Sequence, residues 1–191
     1  MKSALIFCGA NSGKRPIYTE VARQLGQTLA QQDITIVYGA GKVGLMGEVA
    51  EAALAQGGEV IGVIPFFLRK KEVAHEELTK MYVVDSMHER KIKMAQLSDA
   101  VIVLPGGYGT MDELFEMLTL SQIGQGQHPI VLININGFFS PLLAQLDHMV
   151  EEGFLKPGHR QLTMVCSNVE EALTILKNYQ PPAKEGKWIK L

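Results

Sequence analysis

Only two cysteines, Cys8 and Cys166, occur in the 191 residues, and neither belongs to a C-x-x-C pair or a His-rich metal spacing. A disulfide-stapled scaffold is therefore not expected, and the pair reads as buried free thiols in a reducing compartment. Long apolar runs are missing as well. The opening MKSALIFCGANSGK has about half a dozen consecutive apolar residues, too few for a signal core or a membrane span. It reads as a first strand, and the chain is expected to be cytoplasmic with no membrane partner. An excess of either charge is also lacking. Lys and Arg number 18 against 20 Asp and Glu, giving a net charge of −2 and a pI near 6.2. Nothing in that balance draws the protein to nucleic acid, although a local cationic pocket is compatible with it. Internal repeats and low-complexity tracts are absent.

What is there is an ordinary globular composition, 47% hydrophobic and 20% charged. A chain of this length suits one domain that buries about 70% of its unfolded surface. We expect that domain to span residues 1–180, with the tail PPAKEGKWIKL (181–191) as a loose extension that docks Trp188 and Ile189. Strands are predicted at Ala4–Cys8, Ile34–Tyr38, Val60–Ile64, Tyr82–Val84, Ala100–Leu104, Ile130–Ile133 and Thr163–Cys166. Between them the periodicity predicts helices at Pro16–Gln31, Gly44–Ala55, Met87–Leu97, Thr110–Ile123, Pro141–Glu152 and Val169–Asn178. This alternation predicts an α/β, Rossmann-like, doubly wound fold: a mostly parallel sheet of about seven strands with helices on both faces.

Ligands of such sheets bind beyond the carboxyl ends of the strands. Three of those ends are glycine-rich here: Gly9-Ala10-Asn11-Ser12-Gly13, Gly39-Ala40-Gly41 and Gly106-Gly107. Single glycine turns are common, but three at one sheet edge suggest backbone kept clear for an anion. Gly39, Gly41 and Gly44 satisfy G-x-G-x-x-G, which raises a dinucleotide reading. The ribose-binding acid that should end the next strand is missing, since Glu59 opens that strand and Ile64-Pro65 closes it. Gly9 to Lys14 resembles a P-loop, but three residues separate its glycines and Arg15 stands where Ser or Thr would hold magnesium. An ATPase is excluded; the Ser12 hydroxyl and the N–H groups around Gly13 remain anion donors.

The stretch LPGGYGTMDE, residues 104–113, has clearer mechanics. Gly106, Gly107 and Gly109 tolerate backbone angles closed to other residues. Thr110 is predicted to start a helix whose free N–H groups and positive dipole end face the loop, a ready phosphate site. Glu113 has two readings. In one it folds back on the Thr110 amide as a capping box; in the other it is a carboxylate held beside a bound ligand. The following helix carries Met111, Leu114, Phe115 and Leu118 on one stripe, with Met117 and Leu120 widening it. A helix apolar on more than one face needs a second cover, which suggests a homodimer.

MHERKIKMA, residues 87–95, supplies cations. Arg90 lies one turn from Met87 and Met94, where a charged side chain either snorkels or pairs with an acid. Its helix precedes the strand that delivers the glycine loop, so a meeting with Glu113 over the strand ends is the alternative. His88 reads as a surface histidine or a polar pocket residue. Arg69-Lys70-Lys71-Glu72 is a solvated charge run or part of a lid over the sheet edge.

MHERK followed by SDAVIVLPGGYGTMDE resembles the LONELY GUY (LOG) family, the cytokinin riboside 5′-monophosphate phosphoribohydrolases, some of which were once labelled lysine decarboxylases. The likeness extends through IFCGANSGKRP, YGAGKVGLMG and GFFSPLLAQLDHMVEEGFL, nearly the full chain. The resemblance implies a Rossmann-like homodimer that hydrolyses the N-glycosidic bond of adenosine-type 5′-monophosphates to free base and ribose 5-phosphate. It also implies Arg90 and Glu113 as the catalytic pair, with Lys91 beside them. The run from Gly106 and Gly107 through Tyr108, Gly109, Thr110, Met111 and Asp112 to Glu113 would hold the sugar phosphate. Thr119 would line the pocket, and Glu72 matches a substrate contact by ungapped counting through a divergent loop, Phe66 to Met81. No metal or cofactor is called for. The decarboxylase label has no support in the residues, because no lysine has a recognisable cofactor-anchoring context. The rival reading is a non-catalytic nucleotide or molybdenum-cofactor carrier on the same scaffold; the joint presence of Arg90 and Glu113 favours the enzyme.

Overall fold

The computed structural model describes residues 1–69, 74–126 and 128–180. Seven strands form one sheet: β1 (Ser3–Phe7), β2 (Thr35–Tyr38), β3 (Val60–Pro65), β4 (Lys80–Val84), β5 (Ala100–Val103), β6 (Ile130–Ile133) and β7 (Thr163–Cys166). Their order is β4-β3-β2-β1-β5-β6-β7, and every pairing is parallel. The helices are α1 (Pro16–Gln31), α2 (Gly44–Leu54), α3 (Met87–Gln96), α4 (Tyr108–Gln122), α5 (Ser140–Glu151), the single turn α6 (Pro157–Arg160) and α7 (Val169–Lys177).

Strand residues alternate between two cores, as the period of two requires. Ala4, Ile6, Ile36 and Ile102 pack under α1, α2 and α7. Leu5, Phe7, Val37, Val101 and Val103 pack against Met94 of α3, Leu114 and Met117 of α4, and the start of α5. The central strands are buried on both faces, which is why they read as unbroken apolar runs. α1 and α2 approach closely because Gly26 leaves no side chain: a β-carbon there would collide with the Val49 carbonyl.

The strand order reverses between β1 and β5, whose register pairs Phe7 with Val103. Their carboxyl ends part at this switch point and open a crevice. The loop after β1 is held against the loop after β5 by a hydrogen bond from the Gly9 N–H to the Pro105 carbonyl, 3.0 Å.

The expected strands and helices stand within about two residues of their predicted bounds. The one shift with chemical consequence is α4, which begins at Tyr108 and not at Thr110. Gly107 occupies the N-cap position in extended backbone, so Thr110 is already inside the helix. The turn α6 and the 3₁₀ turns at Phe66–Leu68 and Ile135–Gly137 were not predicted; runs this short have no periodicity to read. The tail 181–191 lies outside the described residues. Both thiols are free and buried, as expected. No described helix is long and apolar enough to cross a membrane.

Candidate active site

A cavity of about 460 Å³ occupies the switch point. The β1 loop lines one side with Gly9 to Gly13, and the β5 loop with the start of α4 lines the other from Pro105 to Thr110. Arg90 of α3 and Asp112 and Glu113 of α4 complete the polar part, Met87 of α3 adds an apolar side chain, and Tyr18 and Phe138, in edge contact at 6.1 Å between ring centres, form an aromatic side. The structure thus brings Arg90 and Glu113, distant in sequence, to one cavity.

The start of α4 is the candidate anion seat. Its first intrahelical bond runs from the Met111 N–H to the Gly107 carbonyl at 3.1 Å. The N–H groups of Tyr108, Gly109 and Thr110 consequently have no acceptor within the helix. The glycines of this loop are needed for space and not for unusual angles, contrary to the expectation, because none of Gly106, Gly107 and Gly109 has a positive φ. A β-carbon on Gly106 would collide with the Thr110 side chain. β-Carbons on Gly107 and Gly109 would meet nothing within 4 Å, and both residues line the cavity. Backbone of ordinary conformation left bare beside open space is what close approach of a ligand requires.

This arrangement removes the capping-box reading of Glu113. A capping box needs Thr110 at the N-cap, and that position belongs to Gly107, with no side chain capping it. Glu113 instead reaches the cavity wall one turn beyond the anion seat. Its negative charge is felt by Cys8, whose thiol is pushed up first by burial and then by Glu113.

Arg90 is 4% exposed and held by backbone carbonyls, neither snorkelling to solvent nor loose. Nε donates to the Val63 carbonyl at 3.1 Å and Nη2 to the Gly39 carbonyl at 2.6 Å. Two strand ends on the far side of the switch point therefore aim the guanidinium. α3 is fixed at its start by Ser86, whose Oγ accepts from the Glu89 N–H at 3.1 Å, and by Glu89, whose carboxylate accepts from the Asp85 N–H at 2.9 Å.

Other predicted residues lie elsewhere. Lys91 points to α4, not into the cavity, and pairs with Asp112 at 2.8 Å and Glu116 at 2.6 Å. Burial depresses its ammonium, but hydrogen bonds to the two carboxylates outweigh this and leave its pKa raised. Lys91 follows Arg90 and Asp112 precedes Glu113 in sequence, with Glu116 one turn further on, so the clasp ties α3 to α4 at the level of Arg90 and Glu113. Met111 and Thr119 are outside the cavity wall, and Thr119 bonds back to the Phe115 carbonyl at 2.7 Å. Ser12 and Gly13 do line the cavity, with Gly13 at φ 75°. Gly39 and Gly41 do not line it, a correction to their reading as an anion loop. The start of α2 that follows them is filled from within, since the N–H groups of Leu45 and Met46 donate to the Gly9 carbonyl at 3.0 and 3.4 Å. A β-carbon on Gly39 would collide with the Arg90 guanidinium. Glu72 lies outside the described residues. Tyr18, Phe138 and Cys8 were not foreseen as wall residues, because isolated apolar side chains carry no sequence signal of facing a ligand.

The glycine geometry makes a prediction with opposite signs. Gly109→Ala should leave the protein as stable or raise its stability by about 0.5–1 kcal/mol, because alanine favours a helix. KM for a phosphorylated substrate should nevertheless rise about tenfold, the scale of one weakened charge-assisted hydrogen bond. Thermal unfolding beside steady-state kinetics checks both; unchanged KM would mean that the bare backbone serves the fold alone.

A carboxylate and a buried cation beside a helix start with free N–H donors, across a sheet's switch point, are the features of a Rossmann-like α/β protein with a ligand crevice. Comparison with known proteins narrows this. Residues 46–176 match the family described as "Possible lysine decarboxylase". A cytokinin riboside 5′-monophosphate phosphoribohydrolase of Rhodococcoides fascians is 44% identical over 93% of this chain and 90% of its own. One of Arabidopsis thaliana is 42% identical over 96% of this chain and 85% of its own. Among solved structures, the molybdenum cofactor carrier protein of Chlamydomonas reinhardtii shares the fold, with a TM-score of 0.69 at 19% identity over 92% of this chain and 95% of that one. The chain belongs to the LOG family, the family of the cytokinin riboside 5′-monophosphate phosphoribohydrolases.

Proposed function

We propose that this protein hydrolyses the N-glycosidic bond of adenosine-type nucleoside 5′-monophosphates, plain or N6-substituted, to free base and ribose 5-phosphate. The observation that carries the reading is the meeting of Arg90 and Glu113 in one cavity with the bare glycine backbone of α4. The phosphate takes the N–H groups of Tyr108, Gly109 and Thr110, and its binding energy positions the ribose. As the C1′–N bond breaks, the electron pair leaves with the base and positive charge grows on the sugar. The Glu113 carboxylate stabilises that charge and orients water toward C1′; the attacking water's proton leaves through the carboxylate, and the base nitrogen takes up a proton. The positive charge of Arg90 lies in the same cavity. The 44% identical relative named as a phosphoribohydrolase supports the same chemistry.

Incubation with AMP and with N6-substituted analogues, followed by chromatography, should release free base and ribose 5-phosphate. Intact nucleotide, together with a pterin absorption band in the purified protein, would replace the hydrolase with a carrier.

The functional unit we infer is a homodimer. Phe115 on α4 and Ile123 at its C-cap remain 37% and 43% exposed although Leu114 and Met117 on the helix are buried. A second copy is the cover that suits an apolar second face. Light scattering at micromolar concentration should give twice the 21.0 kDa chain mass, and Phe115→Asp should shift it toward the monomer. A monomeric wild type would overturn this.

A further inference from the structure

The pattern Gly39-x-Gly41-x-x-Gly44 takes no part in the cavity wall, yet its backbone is tightly constrained. The Gly39 carbonyl receives Arg90 Nη2. Ala40 has φ 63°, a left-handed conformation that a residue with a β-carbon holds only where its surroundings impose it. Those surroundings are the segment Ala74–Leu78. The His75 N–H donates to the Ala40 carbonyl at 2.9 Å, and Gly41 forms an antiparallel bridge with Ala74. Leu78 and the Ala40 methyl crowd the place where a β-carbon on Gly62 would stand. The His75 side chain is 1% exposed. Its Nδ1 accepts from the Glu77 N–H at 3.3 Å, so a neutral ring carries its proton on Nε2, which has no partner among the described residues.

We propose that His75 is a positioning residue for Arg90: its buried neutral ring locks Ala74–Leu78 onto the Gly39–Gly41 turn and so fixes the carbonyl that aims the guanidinium. The inference rests on the reading of Arg90 as half of the catalytic pair. Burial first, and the nearby Lys42 charge second, hold the imidazole below its ordinary pKa; Glu51 and Glu77 act against this. The unfolded chain takes up a proton at the ordinary value while the folded one resists it. The ring's contribution is therefore complete above that value and lost as pH falls through the lower, folded one.

The test measures kcat and KM for AMP in wild type, His75→Ala and His75→Phe, with His75→Ala repeated in an Arg90→Lys background, at a temperature where circular dichroism shows each folded. His75→Ala should lower kcat about tenfold with KM nearly unchanged, as for a misplaced reacting group. His75→Phe keeps a buried ring and should stay within about threefold of wild type at about pH 7.5. In the Arg90→Lys background His75→Ala should add almost nothing, because the residue acts through Arg90. Lowering the pH below the ordinary imidazole range should cost wild type more thermal stability than His75→Phe, which has no imidazole to protonate. Equal losses in both Arg90 backgrounds, an unchanged kcat in His75→Ala, or parallel profiles of stability against pH would overturn the proposal. Should His75→Ala not fold, His75→Gln takes its place in both Arg90 backgrounds. A wild type that leaves AMP intact refutes the hydrolase reading itself, and this inference with it, a result distinct from any His75 phenotype.

Discussion

Glu113→Gln should fold, bind AMP with nearly native affinity and turn over about 10²–10⁴ times more slowly, the scale of a positioned acid–base group. The substitution keeps the size and hydrogen-bonding reach of the side chain and removes its charge. A structural role would make it costly to stability, but the role the sequence allowed, capping the Thr110 amide, is gone once α4 starts at Tyr108. In the proposed reaction the carboxylate's charge faces the growing positive charge at C1′. Binding by calorimetry and single-turnover base release separate the two. Near-native turnover would remove Glu113 from the mechanism; lost folding would give it a structural role instead.

AMP should be cleaved with a kcat/KM about 10²–10⁴ above that of adenosine, with ribose 5-phosphate a competitive inhibitor. The figure follows from the three N–H groups of Tyr108, Gly109 and Thr110 that α4 leaves without an internal acceptor. A dianionic phosphate engages two of them at about 1.5–3 kcal/mol each, or about 3–6 kcal/mol together. At about 1.36 kcal/mol per decade this spans the stated range. If recognition of the base dominated, adenosine would remain a fair substrate and ribose 5-phosphate would not compete. Equal cleavage of the two would leave Gly107 and Gly109 without a ligand to explain their bare backbone.

The strand ends were legible because a strand buried on both faces must read as an apolar run, and the glycines after β1 and β5 mark where such runs stop. Arg90 was legible as a charged residue on the apolar side of its helix. Its actual anchors, the carbonyls of Val63 and Gly39, were not, because backbone acceptors leave no trace in side-chain pattern. The start of α4 was misplaced for a related reason. Thr110 is a good N-cap residue by type, but the extended backbone at Gly107 decides where the helix begins. Lys91 was read, through the family resemblance, as a substrate contact; which of several acids a flexible ammonium meets depends on how α3 and α4 are docked, and here it meets Asp112 and Glu116. The role of His75 was hidden because a histidine in a charged loop looks like surface until its segment is seen folded onto the Gly39–Gly41 turn.

The carbonyl of Gly9, seated on the start of α2, bears on how many phosphates the crevice can accept. A helix terminus concentrates the summed peptide dipoles into a partial positive charge of about half an electron. At α2 that charge is already neutralised by a dipole of the protein's own backbone, with Leu45 and Met46 as donors. At α4 it remains directed into solvent-accessible space. The crevice thus has two unequal helix starts: donors of α2 are taken up by the protein's own backbone, while those of α4 face the cavity. The single phosphate of the proposed substrate therefore has one open helix start to meet, that of α4.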